Sequence, residues 1–112
     1  MKILALLVLA AAMYGFGAET TVNGYIVDIS CASKQGQETE FGANHSRNCL
    51  RMCKESGYGV LTDDKKLIKF DKAGNEKALK FLSGIAKDDD IKVSVTGAVN
   101  DDRMSVEKIE LK

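Results

Sequence analysis

Apolar and polar residues alternate along the C-terminal part of the chain, and this pattern limits the fold more narrowly than any other feature. It runs through IKVSVTGAV (91–99) and again through MSVEKIEL (104–111). Alternation with a period of two is typical of strands that have one buried face. The four residues between the two segments, Asn100 to Arg103, are polar and suit a turn. We therefore expect a C-terminal β-hairpin.

The rest of the chain adds three predicted strands and two predicted helices. The segment TTVNGYIVDI (20–29) is rich in β-branched residues, and YGVLTDDKKLIKFD (58–71) has two short apolar runs around a charged turn. Both patterns favour strands. NEKALKFLSGI (75–85) has apolar residues at helical spacing, and Asn44 is a suitable cap for a helix over 45–55. The polar segment 32–43 is expected to be a loop.

This order of elements predicts an OB-like fold. Five strands with a helix between the third and the fourth have the order of an OB-fold barrel. We expect a mainly β domain with two helices, built as a five-stranded OB-like barrel, with a cysteine-bearing helical insertion between strands 1 and 2. The alternative is an open antiparallel sheet that carries the helices on one face.

The N-terminus has the organisation of a secretory signal peptide. Lys2 precedes an uninterrupted apolar run, which small residues follow. The run is shorter than the roughly 20 residues that a membrane-spanning helix needs. Gly15 and Gly17 satisfy the small-x-small rule for cleavage after Gly17. We expect a signal peptide over 1–17, a single domain over 18–112, a periplasmic or secreted location, and no membrane association after cleavage.

The charge balance excludes some classes of partner. The chain has 16 basic and 16 acidic residues, so its surface does not attract nucleic acid or anionic lipid. Its aromatic residues are few and scattered, which argues against a stacking platform for single strands. We expect no nucleic-acid partner. A small ligand, a metal ion and a protein remain as alternatives.

All three cysteines and the only histidine lie within the 23 residues CASKQGQETEFGANHSRNCLRMC (31–53). If 45–55 is one helix, His45, Cys49 and Cys53 share one stripe of it. Together with Cys31 they form a Cys3His set, whose ligand softness suits zinc or copper. Asp28 would then lie outside the ligand set and orient one of the ligands through a hydrogen bond.

A disulfide is the alternative use of the same cysteines. Cys49 and Cys53 are one helical turn apart, with Cβ atoms about 5–6 Å from each other, whereas a disulfide needs about 3.5–4.5 Å. Cys31 can reach either of them across the predicted loop. We favour a Cys31–Cys53 bond with Cys49 free, which would stabilise the domain by about 3 kcal/mol.

Two function classes follow from these alternatives. The first is an exported, non-enzymatic binding or structural module that a disulfide stabilises. The second is a periplasmic metal-binding protein, and a thiol redox protein ranks below both. With a single histidine, no arrangement of nucleophile, base and orienting residue can be assembled from the sequence, so we do not expect an enzyme.

The sequence resembles a family of small secreted bacterial proteins of uncharacterised function with an OB-like core. Its pattern is a glycine and an aromatic residue, an Asp-x2-Cys step, a histidine, a Cys-x3-Cys pair, a Gly-rich step, and a late V-x-V-T-G strand. The matching residues here are Gly24, Tyr25, Asp28, Cys31, His45, Cys49, Cys53, Gly57, Gly59 and the segment VSVTG (93–97). The resemblance implies an exported OB-like domain, and it implies no particular activity.

Overall fold

The structure is a computed structural model that describes residues 19–35 and 39–112. The predicted signal peptide over 1–17 lies outside the described residues. Within these ranges, no helix has the length and apolar character needed to cross a membrane.

Five strands form one sheet: β1 (Glu19–Asp28), β2 (Tyr58–Thr62), β3 (Leu67–Phe70), β4 (Lys92–Asn100) and β5 (Arg103–Leu111). β2 and β3 form one antiparallel hairpin, and β4 and β5 form the other. Both predicted hairpins are therefore confirmed. Asp101 in the β4–β5 turn adopts a positive φ of 61°, a conformation that aspartate tolerates better than most residues.

The long first strand joins the two hairpins. Its N-terminal part pairs with β4 and its C-terminal part pairs with β2, both antiparallel. Gly24 lies where the two pairings overlap, and a Cβ atom there would overlap with the backbone of Leu61. β3 and β5 run parallel and pair through Lys69↔Arg103 and Phe70↔Met104. The described residues therefore form a mainly β domain with a five-stranded sheet, as predicted.

The helical part differs from the prediction of two helices. Four α-helices are present in the described residues: α1 (Ile29–Gln35), α2 (Thr39–Asn44), α3 (Arg47–Met52) and α4 (Lys72–Gly84), and a 3-10 turn (Lys54–Ser56) follows α3. The prediction of a loop over 32–43 is wrong, because α1 and α2 occupy most of that segment. α1 and α2 have seven and six residues, and helices this short depend on packing rather than on their own sequence.

The predicted helix over 45–55 is also wrong in its bounds. Ser46, not Asn44, caps α3, and its side chain accepts a hydrogen bond from the backbone N–H of Cys49. The helix ends at Met52, and Cys53 is its C-cap residue. Gly57 then reverses the chain with a φ of 87°, which glycine adopts without strain.

The main core lies between the inner face of the sheet and helix α4. Its fully buried apolar residues come from every strand, with Ala78 and Leu82 from α4 and Leu50 from α3. Asp71 caps α4 by accepting a hydrogen bond from the backbone N–H of Gly74 (2.8 Å). This long helix was predicted correctly, because its apolar residues recur at helical spacing.

A second, smaller core lies on the outer face of β1 and β2. It consists of Val27, Ala32 and Leu61, with Tyr25 and Leu67 packed against it. Val27 is fully buried here, while its neighbour Ile26 is buried in the main core. Both faces of β1 are therefore covered at its C-terminal end, which explains why this strand does not alternate cleanly in sequence.

Candidate metal centre

Asp28 is the last residue of β1 and pairs with Tyr58 of β2. Its carboxylate has no solvent exposure. The Oδ2 atom accepts a hydrogen bond from the backbone N–H of Cys31 at 2.9 Å. This is the usual N-cap interaction between an aspartate and the third residue of a helix. The Asp-x2-Cys spacing thus starts α1 and brings the Cys31 side chain close to the carboxylate.

His45 reaches the same carboxylate from a different part of the chain. It lies in the connection between α2 and α3, and its Nε2 atom contacts the Oδ1 atom of Asp28. The imidazole is only 7% exposed. The two residues are 17 positions apart in the sequence. Their contact therefore depends on the position of the connection between α2 and α3.

The segment that follows α4 holds this connection in place. The backbone N–H of Asp90 donates to the carbonyl of Ala43 at 2.8 Å, and that of Arg47 donates to the carbonyl of Asp88 at 2.6 Å. The Arg47 guanidinium also donates to the carbonyl of Ile85 and to the Asp88 carboxylate. His45 therefore lies between two backbone anchor points, one on each side.

Three potential ligand atoms meet at this point. The carboxylate of Asp28, the thiol of Cys31 and a ring nitrogen of His45 all lie within 4.8 Å of one another. Two of the three residues are buried and Cys31 is half-buried. Oxygen, nitrogen and sulfur donors in one cluster are a combination that Zn²⁺ accepts.

Cys53, the C-cap residue of α3, is a further neighbour of Cys31. The Ser56 hydroxyl accepts a hydrogen bond from the backbone N–H of Ser30 (3.2 Å) and donates to the carbonyl of Cys53 (3.0 Å). This hydroxyl connects the start of α1 to the end of α3. The neighbouring Cys53 thiol contributes to the raised pKa of the Cys31 thiol. All three cysteines are free thiols in the structure, and the Cys31–Cys53 bond stays a prediction.

The structure brings some of the predicted site residues together and separates others. Cys31 and His45 belong to the cluster, while Cys49 is exposed on α3. The predicted stripe of His45, Cys49 and Cys53 does not form, because His45 precedes the helix and Cys53 ends it. Asp28, predicted only to orient a ligand, is itself a member of the cluster. The Asp-x2-Cys spacing of an N-cap was the signal for its position.

The surroundings of Cys31 favour its neutral form. Burial, the hydrogen bond to Asp28, the charge of Asp28 and the neighbouring Cys53 together raise the pKa of the thiol to about 11, and burial is the largest cause. A thiol with such a pKa is protonated at neutral pH, whereas nucleophilic cysteines need a lowered pKa. The environment of Cys31 is therefore typical of a structural thiol, or of a metal-binding thiol in its protonated, metal-free form.

Tyr58 closes the inner side of the site. It is 1% exposed, and its hydroxyl donates to the carbonyl of Leu50 at 2.7 Å. Burial and then the charge of Asp28 raise its pKa to about 12. The neutral phenol therefore connects β2 to helix α3 over the whole physiological pH range.

A separate cleft of about 670 Å³ lies between α1, β3 and the β4–β5 turn. Lys66 and Lys69 on one side and Asp101 and Asp102 on the other give it a mixed charge. This charge pattern does not select one class of ligand.

Comparison with known proteins adds no family to these observations. No family model, curated protein or solved structure matches this chain.

Proposed function

We propose that the protein is an exported metal-binding module that holds one Zn²⁺ ion through Asp28, Cys31 and His45. The observation that carries this proposal is the convergence of three different ligand atoms within 4.8 Å. They come from the end of a strand, the first turn of a helix and a connection between helices. A surface acidic patch does not have this composition or this burial.

The spacing of the three atoms is close to what one ion requires. Ligands around a tetrahedral Zn²⁺ at bond lengths of about 2.0–2.3 Å lie roughly 3.3–3.8 Å from one another. The ligand atoms lie within 4.8 Å of one another, so side-chain rotations that change these separations by about 1–1.5 Å bring the cluster to that spacing. His45 through Nε2 and Asp28 through Oδ1 would bind the ion in place of their direct contact with each other.

The ligand set favours zinc over copper. Monovalent copper selects sulfur-rich sites, and calcium and magnesium select oxygen. One sulfur, one nitrogen and one oxygen ligand suit Zn²⁺, which accepts all three, with water as the fourth ligand. Oδ2 of Asp28 keeps its hydrogen bond to the Cys31 N–H, and this bond orients the carboxylate in the way that supporting contacts orient metal ligands.

The expected role of the ion is structural and binding rather than catalytic. It would join the C-terminal end of β1, the start of α1 and the α2–α3 connection. A domain of this size buries a modest core, so a metal that bridges three segments adds to its folding free energy.

The test uses the reduced mature protein and cobalt as a spectroscopic probe. Protein loaded with Co²⁺ should show the thiolate-to-metal absorption band in the near ultraviolet, and elemental analysis should give one zinc per chain. Cys31→Ser should abolish the band, and His45→Ala should weaken binding. Cys49→Ser is the matched control, because Cys49 is exposed and lies outside the cluster.

Two results would overturn the proposal. The first is the absence of stoichiometric zinc in reduced protein that is folded by circular dichroism. The second is a cobalt band that survives Cys31→Ser and disappears in Cys49→Ser.

We also infer that the sheet is an OB-like barrel. The supporting observations are the strand order β1-β2-β3-β5-β4, the pairing of β1 with β4, and the position of α4 between β3 and β4. Only two residue pairs connect β3 and β5. Amide hydrogen exchange tests this inference: slow exchange at Lys69 supports a closed barrel, and exchange as fast as in the turns contradicts it.

The second candidate function is a disulfide-stabilised binding module, which the hydrogen bonds that hold the start of α1 against the end of α3 favour. The cleft between α1, β3 and the β4–β5 turn is its candidate ligand site. Peptide mapping of protein isolated from the periplasm without reductant tests it. Quantitative recovery of a Cys31–Cys53 linked fragment supports this candidate, and recovery of free thiols contradicts it.

A further inference from the structure

Cys31 has two kinds of neighbour that would use its sulfur in different ways. On one side are the Asp28 carboxylate and the His45 imidazole. On the other side is Cys53, at the end of α3, whose thiol contributes to the raised pKa of the Cys31 thiol. A sulfur that is bonded to Cys53 is no longer an anionic thiolate, so it cannot bind a cation with comparable strength.

Hydrogen bonds that involve the backbone hold together the two segments that carry Cys31 and Cys53. Ser56 accepts from the N–H of Ser30 and donates to the carbonyl of Cys53. The N–H of Ile29 also donates to the carbonyl of Gly57 at 3.0 Å. These bonds hold the first turn of α1 against the turn that follows α3. They keep the segments that carry Cys31 and Cys53 next to each other.

We propose that Cys31 alternates between two exclusive bonds, one to the metal ion in the reduced protein and one to Cys53 in the oxidised protein. Oxidation thus releases the ion, and the bound ion protects Cys31 from oxidation. This inference rests on the proposed metal-binding function and adds its regulation. A low-molecular-weight disulfide of the glutathione class is the oxidant.

The oxidation is a thiol–disulfide exchange in two steps. One protein thiolate attacks the external disulfide, which forms a mixed disulfide and expels one small thiolate. The second protein sulfur then attacks the mixed disulfide, the Cys31–Cys53 bond forms, and a second small thiolate leaves. The external disulfide gains the two electrons that the protein sulfurs lose. The proton of the Cys53 thiol passes to one expelled thiolate, the other takes a proton from solvent, and zinc leaves as Zn²⁺ without a change of oxidation state.

Cys49 does not take part in this exchange. It lies one helical turn before Cys53, where Cβ atoms are about 5–6 Å apart, and it is exposed while Cys31 and Cys53 are half-buried. Cys49→Ser therefore removes the most accessible competing thiol. It leaves the proposed ligands and the proposed disulfide partner in place.

The experiment is carried out on the Cys49→Ser mature protein. Zinc content is measured first without oxidant, which tests the proposed function alone. Oxidised glutathione is then added, and zinc release is followed with a chromophoric chelator while peptide mapping follows the Cys31–Cys53 fragment. We expect one zinc to be released for each disulfide formed. At free zinc ten times the dissociation constant, disulfide formation should be about tenfold slower than in metal-free protein.

Cys53→Ser, added to the same background, separates this inference from the proposed function. Zinc should still bind, because Cys53 is outside the ligand cluster, but oxidised glutathione should no longer release it at the wild-type rate. Equal release from both variants would overturn the inference and leave the metal site intact. Disulfide formation with zinc still bound would overturn it as well, and absence of zinc at the first step would overturn the proposed function and with it this inference.

Discussion

The imidazole of His45 contacts the carboxylate of Asp28 inside the protein, although 17 residues and two helices separate them along the chain. Asp28 is fully buried and His45 is 7% exposed. Buried polar groups of this kind are retained where they are paired. The pair also makes one half of the proposed metal site, because Nε2 and Oδ1 can bind a cation in place of their direct contact with each other.

Zinc affinity should rise with pH. The Cys31 thiol, with a pKa of about 11 in the metal-free protein, has to lose its proton when it binds the ion. Affinity should therefore increase by about tenfold per pH unit between pH 6 and 8 for each proton released. Calorimetric titration in two buffers of different ionisation enthalpy measures the number of protons. Cys49→Ser should behave as the wild type, and pH-independent binding would contradict direct coordination by Cys31.

The stability of the reduced, metal-free protein should decrease at alkaline pH. The pKa of Cys31 is raised from 9.0 to about 11 in the folded state, so folding favours the protonated thiol. The resulting contribution is complete below pH 9 and is lost as the pH rises through 11. Its size is about 1–3 kcal/mol. Urea denaturation between pH 8 and 11 measures it.

Cys31→Ser is the control for this pH dependence, because serine does not titrate in that range. The variant should lose less stability between pH 9 and 11. Tyr58, with its pKa raised to about 12, and Tyr25, whose pKa burial also raises, should contribute to what remains. Identical pH profiles for both proteins would show that Cys31 is not in the environment described.

Leu50→Ala should destabilise the protein by about 2–5 kcal/mol. Leu50 is fully buried in the main core and is the residue through which α3 packs on the sheet. Met52→Ala, two residues further on, is the matched control. Met52 is 76% exposed, so the change should stay within about 0.5 kcal/mol. Comparable losses in thermal or urea denaturation would mean that α3 does not dock through Leu50.

Tyr58→Phe should cost about 1–2 kcal/mol, since it leaves the buried carbonyl of Leu50 without its hydrogen bond from the phenol. The ring stays in place, so the core volume is kept. Faster amide exchange in α3 should accompany the loss. Tyr25→Phe, at a half-buried position within β1, should have a smaller effect on the free energy of unfolding. If the Tyr25 substitution costs more, the assignment of Tyr58 as the anchor of α3 fails.

The strands, the two hairpins and helix α4 were predictable from the sequence. In each of them the apolar residues recur with the period of a strand or a helix, as Val93 and Val95 do in β4. The Asp-x2-Cys step was visible too, because an N-cap interaction is local. These features depend on neighbours within a few residues.

The tertiary structure alone decided which site residues meet. Helices α1, α2 and α3 are too short to show a hydrophobic period, and their positions depend on packing against β1 and on hydrogen bonds to the segment after α4. Those bonds place His45 on Asp28, and Leu50 packs α3 on the core so that Cys49 is exposed while Cys53 is half-buried. Contacts between residues 17 and more positions apart are set by the packing of whole elements, which no local pattern in the sequence records.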